Sequence, residues 1–301
     1  MTVSDAIEEY LSYIESVRTL SANTVIACRN DLLQFKAMSF IGGEKDINLV
    51  ELEDLKQCVG FLSKKKRSAA SINRFISSVR TLFAYCRKFG HLKINVALEL
   101  KTVKNPKKLP RFMTGAEVDK LCREPSVNEL LWEKRDRAIF EMLYSSGCRA
   151  SEIVSLTFED FNGDYSSAIV TGKGSKDRRV YFAEDAQNAL KAYLEDRKKK
   201  FGESDREKHI FVNQRGGALT TGGLRLIITR YSGSEGTKHH VSPHAFRHTF
   251  ATAMITNGAD VRLVQELLGH SSISTTQRYT HISTEKMIEM YNMAHPHGGK
   301  S

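Results

Sequence analysis

A chain of 301 residues with 41% hydrophobic content is long enough for two domains of ordinary size, each with its own core. Its net charge of +10 is unevenly placed: residues 61–110 carry thirteen Lys and Arg against one acidic residue, more than the whole excess. Five scattered cysteines without a C-x-x-C pair argue against a zinc ribbon or disulfide framework, and no apolar run approaches membrane-spanning length.

The start, MTVSDAIEEY, lacks the basic and apolar regions of a signal peptide, and free thiols fit a reducing compartment, so a cytoplasmic protein with no membrane partner is expected. In the first hundred residues the periodicity is helical. Val3, Ile7, Tyr10, Leu11 and Ile14 form one stripe, and Ser21 is placed to cap a second helix with Val25, Leu32, Leu33 and Phe35 on its apolar side. A third helix is predicted over 51–63. A fourth, over 69–89, buries Ile72, Phe75, Ile76, Val79, Leu82, Phe83 and Phe89. Lys64, Lys65, Lys66 and Arg67 precede that helix, and Arg74, Arg80, Arg87 and Lys88 fall mostly off its stripe. Such a concentration suits a polyanion, nucleic acid above all; a solvated face that only aids solubility has the same composition.

Residues 101–110, KTVKNPKKLP, read as an extended basic linker broken by two prolines, with Lys104, Lys107 and Lys108 available to a phosphate backbone or simply to water. The expected organisation is a helical domain over 1–100, the linker, and a second domain over 111–301. The second domain opens on a capping box at Thr114–Glu117. A helix over 134–146 ends at Gly147, and another begins near Ala150 with Ile153, Val154 and Leu156. Residues 161–182 alternate around Gly- and Asp-containing turns and form the one convincing β stretch. From Ala183 the pattern is helical again, so the fold class is mainly α with a small antiparallel sheet in the C-terminal domain.

Several polar residues fall where an anion could be held. Arg149 stands where a glycine turn enters a helix, and Glu152, three residues on, is placed to orient it; a plain surface ion pair would have the same spacing. Lys173, between Gly172 and Gly174 at the hairpin tip, can reach a leaving oxygen or merely face solvent. Ser242-Pro243 starts a helix that puts His244 and Arg247 on one face. His244 and His248 also have the i,i+4 spacing of a metal pair, but no glutamate base lies between them and Arg247 opposes a divalent cation, so no metal and no cofactor are expected. His270 follows a glycine breaker, and Tyr279 lies nine residues later on a polar segment. Together these groups supply cations, a proton carrier and an oxygen nucleophile, which is what attack on a phosphodiester requires.

Arg149, Lys173, His244, Arg247, His270 and Tyr279, in that order and within SSGCRASEI, TGKGSKDRRV, SPHAFRHTFAT and VQELLGHSSISTTQRYTH, resemble the tyrosine recombinase (phage integrase) family. The resemblance spans essentially the whole chain and is strongest to the bacterial Xer recombinases, with LLGHSSISTTQRYTH and the ending YNMAHPHG. Cys148 departs from the aliphatic residue usual in the family at that position, and Tyr181 from the proline common in Xer proteins.

The resemblance implies a two-domain clamp on DNA: a core-binding domain and a catalytic domain. It implies that Tyr279 attacks a phosphodiester to give a 3′-phosphotyrosyl link, and that strand exchange proceeds through a Holliday junction. Arg149 and Arg247 would hold the phosphate, Lys173 would protonate the leaving oxygen, His244 would carry the proton of Tyr279, His270 would bond the phosphate, and Glu152 would support the site. It further implies double-stranded DNA with a specific site as partner and a homo- or hetero-tetramer with exchanged C-terminal tails. A second Xer recombinase and a DNA translocase are further partners it allows. The tail from Thr284, with Met287, Ile288, Met290 and Tyr291 at helical spacing, would dock on a neighbour; packing on its own domain is the alternative. Dimer resolution of a chromosome or plasmid is the expected role. An integrase or invertase of a mobile element uses the same chemistry, and a catalytically silent DNA-binding protein is the reading from another class.

Overall fold

The computed structural model describes residues 1–17, 20, 22–104, 113–128, 130–172, 176–202, 207–232, 241–269 and 284–298. By internal packing the chain divides into two units, Met1–Lys108 and Leu109–Ser301.

The first unit is built from α1 (Val3–Ser16), α2 (Ala22–Lys36), α3 (Leu52–Lys64) and α4 (Ala69–Lys88). Thr2 and Asp5 form a reciprocal capping box at the start of α1, and the Ser68 side chain accepts from the Ser71 amide at the start of α4, so each helix begins where an oxygen meets otherwise unbonded amides. The core follows the helical stripes: Ile7, Leu11 and Ile14 from α1, Leu32 and Phe35 from α2, Leu55 and Cys58 from α3, and Phe75, Val79 and Phe83 from α4. Two residues expected in that core are not there. Leu33 and Phe89 are exposed at 47% and 46%, and on α2 the buried positions flanking Leu32 are Cys28 and Asp31. A residue adjacent to a stripe is turned about 100° from its neighbour, and Leu33 falls outside the arc that meets α4. Ser21, read as the cap of α2, lies outside the described residues.

The start of the basic segment after α4 is tied down. Asn73 of α4 donates from Nδ2 to the Val103 carbonyl (2.9 Å) and accepts the Val103 amide (2.8 Å), so residues up to Val103 run along the helix rather than away from it.

The second unit contains α5 (Gly115–Val127), α6 (Glu133–Ser146), α7 (Ala150–Ser155), strands β1 (Ser167–Thr171) and β2 (Asp177–Tyr181), then α8 (Glu184–Phe201), α9 (Thr221–Ser232), α10 (Pro243–Thr256), α11 (Val261–Leu268) and α12 (Thr284–Ala294). The strands pair antiparallel with Ala168 opposite Val180 and Val170 opposite Arg178; among the described residues they form the one sheet. Helix α6 is the axis of the unit, buried from Arg135 to Ser146 almost without interruption and packed against α5, α8 and α10. A helix buried on nearly every side must pair the polar groups it carries inward. Its polar members are paired: Arg135 forks onto Asp136, which also accepts from Tyr231 Oη.

A smaller apolar cluster holds Tyr181, Phe250, Met254, Leu263, Leu267, Leu268 and Tyr291. Here the C-terminal tail, expected on a neighbouring protomer, is seated on its own domain. The Tyr291 hydroxyl bonds Ser145 Oγ at 2.7 Å, and Asn257 Nδ2 donates to the Ala294 carbonyl at 2.9 Å. His297 sits against Asp119 of α5, Asp185 of α8 and Glu141 of α6 at 3.0, 3.5 and 3.9 Å. Burial raises the Glu141 carboxyl above its ordinary range. Tyr181 packs its ring on Tyr291 with centroids 5.8 Å apart. Among the described residues no helix is long and apolar enough to cross a membrane.

Candidate active site

Helix α6 stops because Gly147 takes a left-handed conformation (φ +60°), a backbone region open to glycine at little cost. A side chain there would also collide with Phe250, since a built Cβ lies 2.5 Å from its Cδ1. The chain then turns through Cys148, fully buried with its thiol pushed up to about 11 by burial, and presents Arg149 as the first flanking residue of α7.

Arg149 is held by Glu152 in a reciprocal cap. Its backbone amide donates to Glu152 Oε2 at 2.7 Å and its Nη1 to Oε1 at 2.6 Å, while the guanidinium keeps 36% of its side-chain surface open. Glu152 itself is 2% exposed. Burial alone would raise its pKa, but hydrogen bonds from Arg178 and Arg149 outweigh that and hold the carboxylate at about 2.

The second cation arrives from α10. Ser242 caps that helix by accepting the Ala245 amide, with Pro243 at its first turn, and Arg247 follows one turn on, buried at 7% exposure. Its Nη1 donates to the Gly147 carbonyl at 2.9 Å and its Nη2 to the Leu268 carbonyl at 2.5 Å. Both acceptors lie at helix C-termini, which attract a cation. Burial, then Arg149 and Arg178 nearby, lower the Arg247 pKa to about 10, so it stays charged at neutral pH. A guanidinium has five N–H donors, and among the described residues two of them are engaged, by the Gly147 and Leu268 carbonyls.

His244 is exposed on the first turn of α10, its ring centroid 4.3 Å from that of His248. Partial burial, then His248, Arg247 and Arg149, lower its pKa, which keeps the imidazole neutral and able to accept a proton at pH 7.

Lys173, His270 and Tyr279 lie outside the described residues. The residues preceding the first two, however, adjoin the arginines. A Cβ built on Gly172 would stand 3.7 Å from Arg149 Nη1, and one on Gly269 would stand 2.9 Å from Arg178 Cδ. Gly172 thus lies beside Arg149, and the end of α11 lies beside Arg178 at Gly269 and beside Arg247 at the Leu268 carbonyl.

Arg178 is not among the residues that the sequence motifs single out. It forks onto Glu152 and donates from Nε to the Leu267 carbonyl at 2.9 Å. The signal was present in the strand alternation, which puts Arg178 on the same face as buried Val180. A charged residue on an inward face calls for a buried partner.

In the first unit, Lys64, Lys65, Lys66, Arg67, Arg87, Lys88 and Lys104 are exposed; Lys107 and Lys108 lie outside the described residues. Arg74 is committed elsewhere, forked onto buried Asp31 by two bonds of 2.9 Å, and Arg80 turns to the Leu100 carbonyl. Arg67, Arg74, Ser71, Asn30 and Gln34 line a cleft of about 320 Å³ between α2 and α4.

Residues 111–286 match the model of the phage integrase family, and residues 7–89 match that of the phage integrase N-terminal SAM-like domain. The chain belongs to the phage integrase family. A tyrosine recombinase XerC of Treponema denticola is 42% identical over 98% of this chain and 100% of its own length. A tyrosine recombinase XerD of Lacticaseibacillus casei is 35% identical over 97% and 99%. Among solved structures, a XerA recombinase is 28% identical with a TM-score of 0.50, covering 97% of this chain and 99% of that one. A lambda integrase (residues 75–356) dimer bound to a COC′ core site shares the fold, with a TM-score of 0.72 at 17% identity over 94% and 100%. With such relatives along its full length, this chain is a tyrosine recombinase of site-specific type.

Proposed function

We propose that this recombinase acts at a specific double-stranded DNA site through a phosphotyrosyl intermediate on Tyr279, in the Xer manner, resolving chromosome or plasmid dimers. The observation that carries the reading is the pair Arg149 and Arg247, brought together from α7 and α10 with Gly172 against the first of them.

The chemistry follows from that pair. Arg149 and Arg247 hold the non-bridging oxygens and offset the charge that grows as the phosphorus becomes pentavalent. Tyr279 attacks, forming a bond to the 3′ phosphate as the bond to the 5′ oxygen breaks. The Tyr279 proton passes to neutral His244, and Lys173 protonates the leaving 5′ oxygen. His270 donates a hydrogen bond to the phosphate. The phosphotyrosyl bond keeps the energy of the diester, so a 5′ hydroxyl from a partner duplex reverses the step and yields a Holliday junction without ATP. The exposed cations of Lys64–Arg67 and α4 engage the backbone. Four protomers assemble, alone or with a second recombinase, each tail leaving its own domain for a neighbour's, and a DNA translocase is a candidate activator.

The test uses a nicked suicide duplex made from a sequence that the protein selects from randomised DNA. Wild type should form a covalent adduct that persists in EDTA, and Tyr279→Phe should form none while binding the duplex as tightly. An adduct in the variant overturns the nucleophile; loss of the wild-type adduct in EDTA overturns the metal-free reaction.

A further inference from the structure

The Glu152 carboxylate accepts four hydrogen bonds, two from each of two arginines. Oε1 receives Arg149 Nη1 at 2.6 Å and Arg178 Nη1 at 2.8 Å; Oε2 receives the Arg149 amide at 2.7 Å and Arg178 Nη2 at 2.8 Å. A carboxylate offers about four lone-pair sites, so this one is saturated. Arg178 is itself mostly buried, with 11% of its side chain exposed, and its Nε holds the Leu267 carbonyl at the end of α11. Its aliphatic stem lies against Gly269, which has φ +65° and no room for a Cβ.

We propose that Arg178 is a positioning residue for the recombination reaction, acting on the phosphate through Glu152 and Arg149. The argument is one of charge as well as geometry. A buried carboxylate paired with Arg149 alone would cancel its charge and leave nothing over for a phosphate. With Arg178 present, two guanidiniums and one carboxylate sum to one positive charge, and Arg149 is the exposed end of the triad. Arg178 thus lets Glu152 fix the direction of the Arg149 guanidinium without neutralising it. Through Leu267 and the close fit at Gly269, the same side chain ties the end of α11, after which His270 follows in the chain, to β2, the strand that follows Lys173 in the chain. Because a misplacement of about 1 Å in such a constellation can cost about a hundredfold in rate, a residue that sets direction without touching substrate has a large effect on chemistry and a small one on binding.

This inference rests on the recombinase reading, and the assay separates the two. Single-turnover adduct formation on the selected suicide duplex is measured at saturating protein, beside the Kd for the intact duplex, for wild type, Arg178→Ala, Arg178→Lys, Glu152→Gln and the double variant R178A/E152Q. Arg178→Ala should slow the adduct at least about tenfold and change Kd by less than about threefold. Arg178→Lys should fall between, since charge is kept and the fork is lost. The double variant should be faster than R178A by about threefold or more, because the uncompensated carboxylate has gone. A merely structural role would not produce that rescue. A wild-type rate in R178A, a parallel loss of rate and binding, or a double variant no faster than R178A overturns the proposal. If R178A does not fold, Arg178→Lys carries the test: a fall in rate without a fall in affinity supports positioning, and equal falls overturn it. A wild-type protein that forms no adduct refutes the recombinase reading instead.

Discussion

Glu152 is depressed from 4.5 to about 2 because two arginines hold its charged form. A depressed carboxylate contributes stability that is complete above its unfolded pKa and is lost as pH falls through the folded value. The window is therefore about pH 4.5 down to 2, and the shift corresponds to about 3 kcal/mol of differential stability at most. Glu152→Gln should lower stability at neutral pH and flatten its decline across that window, read from urea denaturation at a series of pH values. A variant whose acid decline parallels wild type would show that the carboxylate is not held as described. His244 has the opposite logic: burial, then His248 and the two neighbouring arginines, lower its pKa, so it stays neutral, the form that the proposed reaction needs to take up the tyrosine proton, to lower pH than an ordinary histidine. Arg178 shows what escapes a reading of residues one at a time. Its neighbours Glu152 and Leu267 are 26 and 89 positions away, and no local spacing announces either.

At the scale of elements, the boundary between α6 and α7 governs the site. Gly147 ends one helix, turns the chain so that Arg149 starts the next, and offers its carbonyl to Arg247. Gly147→Ala would force an L side chain into φ +60° and place its Cβ 2.5 Å from Phe250 and 2.9 Å from Leu268. Strain and overpacking together should cost about 2 kcal/mol or more, visible as a lower denaturation midpoint, and adduct formation should fall with it. An unchanged midpoint would refute this account of the turn. The helices themselves were legible because amphipathic spacing and caps are local properties: the stripe on α1, the stripe on α4 apart from Phe89, and the box at Thr114 sit in the chain as the structure has them. The hairpin was legible as a stretch of 161–182, yet its paired core is shorter, Ser167–Thr171 with Asp177–Tyr181, because alternation does not say how far a ladder extends.

For the whole molecule, charge distribution is the property with a direct readout. Replacing Lys64, Lys65, Lys66 and Arg67 by Gln should weaken DNA binding and lower the slope of log K against log salt by up to about four contacts at 0.9 each. These side chains are exposed, so the melting temperature should hardly move. An unaltered salt slope would move the DNA face elsewhere. Arg74→Gln belongs to another class, since it leaves Asp31, 3% exposed, without its fork and should lower the melting temperature. Composition could not separate these cations, because a lysine in a turn and an arginine over a buried carboxylate count equally toward net charge. The tail is a second case. Its apolar spacing marked a docking helix, while its seat in this structure, with Tyr291 on Ser145 and His297 among Asp119, Asp185 and Glu141, joins positions more than 100 residues apart.

The sequence by itself determined the helical stripes, the caps, the basic segment and the ordered motifs from Arg149 to Tyr279 that mark the family. These are written at separations of a few residues, where backbone geometry converts spacing directly into a face or a turn. Only the tertiary structure decided which cations are spent on buried partners, where the tail rests, and that Arg178 shares Glu152 with Arg149. Those outcomes depend on burial and on contacts between distant elements, and the cost of an unpaired buried charge arises only once the chain has closed around it.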